Sequence, residues 1–559
     1  MRLLVQLTVP LPPAPTAPTA PTLVRFHLDG ETVEVEDDGI SLLEALRDRL
    51  GKTSPKDGCS PQGQCGCCTV WVDGSARVAC VTPVRRVAGR HVTTLDGLDP
   101  AVRDGWARAF TETGASQCGF CTPGIIMRLA ALGRRSVEVD EDALRTALLA
   151  HLCRCTGWCS ILEAARRVYD SGRGGSDGRG GAGPVERDLD AAARRAGLEG
   201  GTVQAVGPRV ALGGGGFADD TAPADALVAV PDGGGGWVVA ETLHEARREA
   251  GKVQGRNSTV AVGHPLEVAP GDFALTLQTT FVEPAYLEPD ASWCQPGGAP
   301  ASPLANGGAF GGKQASPVAA AARRLADENG RCVRVVMARE DVVTMGPKRP
   351  PIAAGLRLDG SGVLRVARTV GSPSLEEWVM AVTSVAPGLA VEEVEVPGPP
   401  VALGLRGAGW AEATVLLAGL DALRGGRVGP GHPVTVVSPE GAVATAAVGS
   451  DGAVTVTVAA GEVLDEVVLR SYAVGASHQA LGWVRSEGVA VDPEGTVLDL
   501  TIRSFGILSA RAMPPVVVVV EDGTGPPVRA ADAVFAAVTA AAWVAAGLPP
   551  RWPTERGGT

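Results

Sequence analysis

The sequence predicts a multidomain α+β chain: a small α+β unit, an all-α unit, then a longer α+β region. Three observations predict it. Alternating apolar residues with turn dipeptides fill 23–98, helical spacing fills 99–170, and strand-like runs between Gly-rich loops follow. The chain has 559 residues, room for several domains at about 150 residues each. Apolar residues at 45% and charged residues at 20% fit a globular chain. Gly 74 and Pro 42 predict many loops. The net charge of −12 excludes a general nucleic-acid binder, because phosphate contacts need a basic face.

Residues 1–22 read as a Pro-rich tail, without the longer apolar core of a secretory signal. The longest apolar stretches, 514–520 and 533–548, fall short of the ~18–20 apolar residues of a membrane span. The expected compartment is the cytoplasm.

In the unit 23–98, Val24, Phe26 and Leu28 alternate, and Asp29-Gly30 turns the chain into a partner strand at 32–35. Ser41 caps a helix over 42–50, with Glu44 completing a capping box and Gly51 stopping it. A Gly- and Cys-rich loop follows at 58–68. Residues 69–72 and 76–81 then form a hairpin about Asp73-Gly74. In the unit 99–170, helices are expected at 101–113, 122–132, 141–149 and 160–169. Residues 171–204 read as a linker, with seven glycines between 171 and 183. The region 205–559 reads as strands and Gly-rich loops, with helices at 243–253, 316–329, 411–423 and 530–546.

Ten of the 12 cysteines lie between Cys59 and Cys159. Without a secretory signal, such clustering points to metal ligands rather than disulfides. Cys59, Cys65, Cys68 and Cys80 are spaced C-x5-C-x2-C-x11-C. Gly58, Gly63 and Gly66 free the loop to wrap a ligand set. Four thiolates suit a 2Fe–2S cluster or zinc; a Gly-rich loop after a helix with one distant Cys favours iron–sulfur. Cys67 is an extra thiol. Cys118-Gly119-Phe120-Cys121 pairs with Cys153-Arg154-Cys155, each read at a helix start, where the dipole favours thiolates. Taken alone this set also suits zinc; directly after the first loop it reads as a second 2Fe–2S site.

The strings DGCSPQGQCGCCTVWVDG, QCGFCTPGII and LCRCTGW resemble the two iron–sulfur domains of the xanthine dehydrogenase / aldehyde oxidase family of molybdenum hydroxylases. The resemblance runs over residues 23–170, with a first loop one residue longer than the family's commonest spacing. It implies a β-grasp ferredoxin-type domain at 23–98, a helical 2Fe–2S-binding domain at 99–170, and a molybdopterin-binding-like region at 205–559. It implies that Gln117 touches the molybdenum pterin. It also implies that the cluster of Cys118, Cys121, Cys153 and Cys155 lies nearest molybdenum, the other passing electrons outward.

Asn306 to Lys313 read NGGAFGGK. A Gly-rich loop lets backbone N–H groups approach an anionic or oxo ligand. It nearly matches a Walker A loop, but Gln314 stands where Ser or Thr would bind magnesium. It resembles the family's molybdopterin loop, which implies cofactor contacts from Gly307, Gly308, Ala309, Phe310, Gly311 and Gly312. Tyr286-Leu287-Glu288-Pro289 and Leu405-Arg406-Gly407 resemble the family segments whose Glu and Arg hold the heterocycle and its developing charge. From residue type alone, Glu288 reads equally as a strand-end carboxylate and Arg406 as a surface residue before a turn. The family's catalytic base Glu has no counterpart: Pro526 stands in its place, with Glu521 nearby.

The molybdenum-like region is abbreviated, and no flavin domain separates it from the iron–sulfur units. The fusion resembles the selenium-dependent xanthine dehydrogenase branch. The expected function is hydroxylation of a purine-like heterocycle or aldehyde with water. Two 2Fe–2S clusters would pass electrons to a separate flavoprotein or other acceptor. The alternative is an iron–sulfur electron-transfer protein with a degenerate, non-catalytic molybdenum half. No nucleic-acid or membrane partner is expected.

Overall fold

A computed structural model describes residues 22–134, 139–171, 187–251, 261–402 and 404–556. Residues 1–21 of the expected tail and 172–186 of the expected linker lie outside them. From Leu189 to Gly200 that expected linker is a helix, capped by Asp188, whose Ala192 and Ala196 pack on Val468 and Tyr472.

The first unit is a five-stranded sheet. In order its strands are Glu31–Glu36, Leu23–Leu28, His91–Thr93, Thr69–Val72 and Ser75–Val78. The central pair is parallel and the others antiparallel. The expected hairpins form, with Asp29 and Asp73 at positive φ in the turns. Ser41 and Glu44 make the capping box: Ser41 N–H donates to Glu44 at 3.0 Å and Glu44 N–H to Ser41 at 3.2 Å. The helix is α only over Leu42–Glu44 and widens to a π turn over Ala45–Arg49. The expected strand 76–81 ends at Val78. A 3-10 turn, Ala79–Val81, then swings Cys80 back to the loop.

Four α-helices follow: Pro100–Glu112, Thr122–Gly133, Glu141–Ala147 and Cys159–Ser171. Among the described residues, the remaining chain builds three four-stranded sheets. The third contains Val443–Val448 and Val454–Ala459, and helix Ala531–Ala545 packs on it. That helix also packs on Glu466–Arg485, in which every residue from Ser471 to Val484 is buried. Sequence reasoning missed Glu466–Arg485 because a helix buried all round has no amphipathic period. Among the described residues, no helix is long and apolar enough to cross a membrane.

Candidate functional site

The loop 58–68 and the turn after the hairpin bring Cys59, Cys65, Cys68 and Cys80 together, all buried. The thiols of Cys65 and Cys80 hydrogen-bond to Cys59, and Cys80 also meets Cys68. Backbone N–H groups of Gln62 and Gln64 donate to Cys59 Sγ at 3.3 and 3.4 Å. These bonds, that from Cys65 foremost, hold Cys59 well below the usual thiol range, while its partner Cys65 is pushed up. Four buried thiols in mutual contact, one of them accepting two backbone N–H groups, suit iron–sulfur ligation.

The second set forms two sulfur pairs. Cys118 and Cys155 lie 3.5 Å apart, and Cys121 and Cys153 hydrogen-bond to each other. Two pairs suit a 2Fe–2S cluster, which takes two thiolates per iron. Cys121 immediately precedes helix Thr122–Gly133, as expected. Cys153 and Cys155 do not start a helix: Trp158, at φ +69°, breaks the path before Cys159–Ser171.

All twelve cysteines are free of disulfides. Cys67 is buried behind Cys65, and Cys159 points to Pro514 O at 3.8 Å. Cys67 meets Cys65 alone of the four and Cys159 meets no sulfur, so changing either to Ser should leave iron content and cluster spectra intact. Loss of a cluster would contradict this ligand assignment.

The loop 307–313 lies directly on the second sulfur set. A Cβ on Gly308 would sit 3.2 Å from Cys118 Sγ and 3.3 Å from Cys155 Sγ. On the other side, a Cβ on Gly475 of Glu466–Arg485 would sit 1.8 Å from Cys155 O. Only glycine allows both approaches. Asn306 fastens the loop, its amide donating to Gln117 O at 3.0 Å and Cys118 O at 3.2 Å.

The other expected site residues divide between two crevices. Glu288 shares one with Cys118, Cys155, Gly307, Gly308 and Lys313. Phe310 and Arg406 share the other with Glu283, Arg349, Gln479 and Glu487. Both Phe310 and Arg406 hold positive φ, and the Arg406 guanidinium lies 4.7 Å above the Phe310 ring. Arg406 also donates to Gln479 Oε1 at 2.7 Å; burial lowers its pKa to about 10. Gln117 is committed: its Nε2 donates to Cys155 O, Ser471 O and Ser471 Oγ at 2.9 to 3.1 Å. Pro526 and Glu521 are exposed and line neither crevice.

Lys313 Nζ donates to Glu288 Oε2 at 2.7 Å, leaving Oε1 buried without a hydrogen bond. Burial pushes the Glu288 carboxyl up to about 7, against the pull of Lys313. A carboxyl raised on folding stabilises the fold below its unfolded pKa; that contribution is lost as pH rises through about 7. Infrared spectra should show a protonated carboxyl band titrating near pH 7, absent in Glu288→Gln. No such difference between the two proteins would contradict it.

For a pterin cofactor, the fit is good in donors and tight in space. The glycine loop, the unpartnered Glu288 Oε1 and the unpartnered Arg349 Nη2 suit a polar heterocycle. The crevice against the sulfur set has room of about 10 Å³, and the groove on the far face of the loop, beside Gly311, Gln314 and Gly404, about 650 Å³. A water-sized crevice means that the loop must shift to admit a cofactor there.

Sequence reasoning missed Arg154 and Glu487, a buried pair with Nη2 to Oε2 at 2.6 Å. The signal was available: an arginine inside a Cys-x-Cys motif, at a buried metal site. It also missed Arg339, whose Nη2 ties Gly58 O at 2.7 Å to Leu287 O at 2.8 Å and so joins the first loop to the Glu288 segment.

Comparison with known proteins agrees with this geometry. The 2Fe-2S iron-sulfur cluster binding domain matches residues 26–85, and the 2Fe-2S binding domain matches residues 94–166. One of the nicotinate dehydrogenase subunits of Pseudomonas putida is 40% identical over 152 residues, which are 27% of this chain and 96% of that protein. Xanthine dehydrogenase of Emericella nidulans is 40% identical over 156 residues, 26% of this chain but 11% of that protein. In fold, the chain is similar to the aldehyde oxidoreductase of Desulfovibrio gigas, with a TM-score of 0.66 and 14% identity. That likeness covers 93% of this chain and 97% of the other. The chain belongs to the molybdenum hydroxylase family of oxidoreductases, that of xanthine dehydrogenase and aldehyde oxidase. It carries the family's two 2Fe–2S-binding domains.

Proposed function

We propose that this chain hydroxylates a purine-like heterocycle or an aldehyde with water, and that the electrons pass through two 2Fe–2S clusters to a separate flavoprotein or other acceptor. The observation that carries this reading is the contact between Gly308 and the sulfurs of Cys118 and Cys155. An added Cβ there would lie 3.2 and 3.3 Å from those sulfurs, which supports a cofactor-type loop lying against the second sulfur set. Cys59, Cys65, Cys68 and Cys80 would hold one cluster, and Cys118, Cys121, Cys153 and Cys155 the other. The backbone of 307–312 would hold a molybdenum–pterin group, which when bound supplies two-electron oxidation of the substrate carbon. Glu288, paired with Lys313, offers a hydrogen-bond partner in one crevice, and Arg406 over Phe310 offers a buried positive charge in the other.

Pro526, which the resemblance puts in place of the family base, carries no carboxylate and lines neither crevice. A positioned base contributes roughly 10²–10⁴-fold, so turnover should be slow even with the cofactor bound. A second reading, electron transfer without hydroxylation, is favoured by the committed amide of Gln117. Molybdenum content beside xanthine or aldehyde turnover with a dye acceptor separates them. Molybdenum near one per chain with slow turnover is expected. Iron without molybdenum would overturn the hydroxylase reading and leave electron transfer. Brisk turnover would contradict the missing-base argument and point to another carboxylate.

A further inference from the structure

The crevice that holds Phe310 and Arg406 has room of about 30 Å³, enough for one or two waters. Two glutamates line it, Glu283 and Glu487. Both oxygens of Glu487 accept from the Arg154 guanidinium, so that carboxylate is fully engaged. Glu283 is different. It is 1% exposed, and Lys348 Nζ lies 2.8 Å from its Oε2 as a buried ion pair. Yet neither of its carboxylate oxygens accepts a hydrogen bond from the protein. Buried acceptors are nearly always satisfied, and water in the same crevice is the donor at hand. The backbone on each side is pinned: Arg349 N–H donates to Val282 O at 2.9 Å, and Arg154 Nε to Pro284 O at 3.1 Å. The segment therefore holds Glu283 in one place, on the crevice that also presents the Arg406 guanidinium above the Phe310 ring.

We propose that Glu283 accepts the proton of the water that hydroxylates the substrate, in place of the base that Pro526 cannot supply. The proposal rests on the hydroxylase reading and names a proton acceptor for it. Water gives one proton to the unpartnered Glu283 oxygen while its own oxygen bonds to the substrate carbon. The C–H bond at that carbon breaks. Its electron pair goes to the molybdenum–pterin group and on through the clusters, and its proton goes to solvent. Arg406 is placed to stabilise negative charge that gathers on the substrate. Turnover stays slow, because Lys348 neutralises part of the charge of this carboxylate. What turnover remains depends on Glu283.

The test has a structural arm and a kinetic arm, both on the full chain loaded with iron and molybdenum. A crystal structure should show an ordered water about 2.5–3.0 Å from a Glu283 carboxylate oxygen; a dry crevice would overturn the proposal. In xanthine or benzaldehyde turnover with a dye acceptor, Glu283→Gln should lower kcat by about 10²-fold or more, with KM and molybdenum content unchanged. Glu283→Asp should keep part of the rate, and added formate should restore part of it to Glu283→Ala. Since Glu283→Gln leaves Lys348 buried without its counter-charge, Glu283→Gln/Lys348→Met guards against misfolding and should be as slow. A Glu283→Gln protein with the original kcat would overturn the proposal, as would a loss that formate restores at Glu288→Ala and not at Glu283→Ala. Loss of molybdenum from the folded double variant would give Glu283 a structural role and overturn it too. An unaltered chain without molybdenum or turnover fails at the hydroxylase reading itself and takes the proposal with it.

Discussion

Changing Cys121 to Ser should remove the second cluster and leave the first. Iron should fall by about half, and one of two reduced EPR signals should vanish. The physical reason is the pairing of Cys121 with Cys153 beside Cys118 and Cys155. An iron that loses one of its two thiolates loses its hold on the cluster. The loss should reach stability too, because a cluster bound only by the folded chain contributes its binding free energy to folding. Loop 307–313 and helix Glu466–Arg485 both pack on this site, so they should become more open to proteolysis. Retention of both EPR signals in the variant would show that the ligand set is wrong.

Replacing Glu487 by Ala should cost about 3–5 kcal/mol, read as a shift in the urea midpoint. Arg154 and Glu487 are buried partners, with side chains 5% and 2% exposed. They join the second cysteine pair to the C-terminal region, and Arg154 Nε also donates to Pro284 O at 3.1 Å. Removing the carboxylate leaves a buried guanidinium with no counter-charge. A double variant, Arg154→Met/Glu487→Leu, should recover much of the loss, because replacing both charges removes the desolvation penalty. A single variant that loses less than about 1 kcal/mol would contradict this account of the junction.

The cysteine sites were legible in the sequence because a ligand set depends on residue type and spacing, and both are local. The ferredoxin-type hairpins were legible for the same reason: Asp29-Gly30 and Asp73-Gly74 impose their turns wherever they fall. What sequence reasoning could not supply was long-range pairing. Nothing near Gln117 announces that Ser471, 354 residues on, will take two of its hydrogen bonds. Nothing near Glu288 announces Lys313, although both lay in strings singled out for chemistry. The helix Leu189–Gly200 was hidden by the glycines before it, and its role is equally non-local. Its Glu199 accepts from Ala530 and Ala531 N–H at 2.8 to 3.2 Å, at the start of Ala531–Ala545. Glu288 and Arg406, expected at one substrate, line separate crevices. Arg154 touches both, and that junction is fixed by tertiary packing alone.

The central claim is that two distinct 2Fe–2S clusters occupy the two sulfur sets. Iron analysis with low-temperature EPR of the dithionite-reduced protein tests it most directly. Two clusters predict about four irons per chain and two different signals. A single signal, or zinc in place of iron, would contradict it.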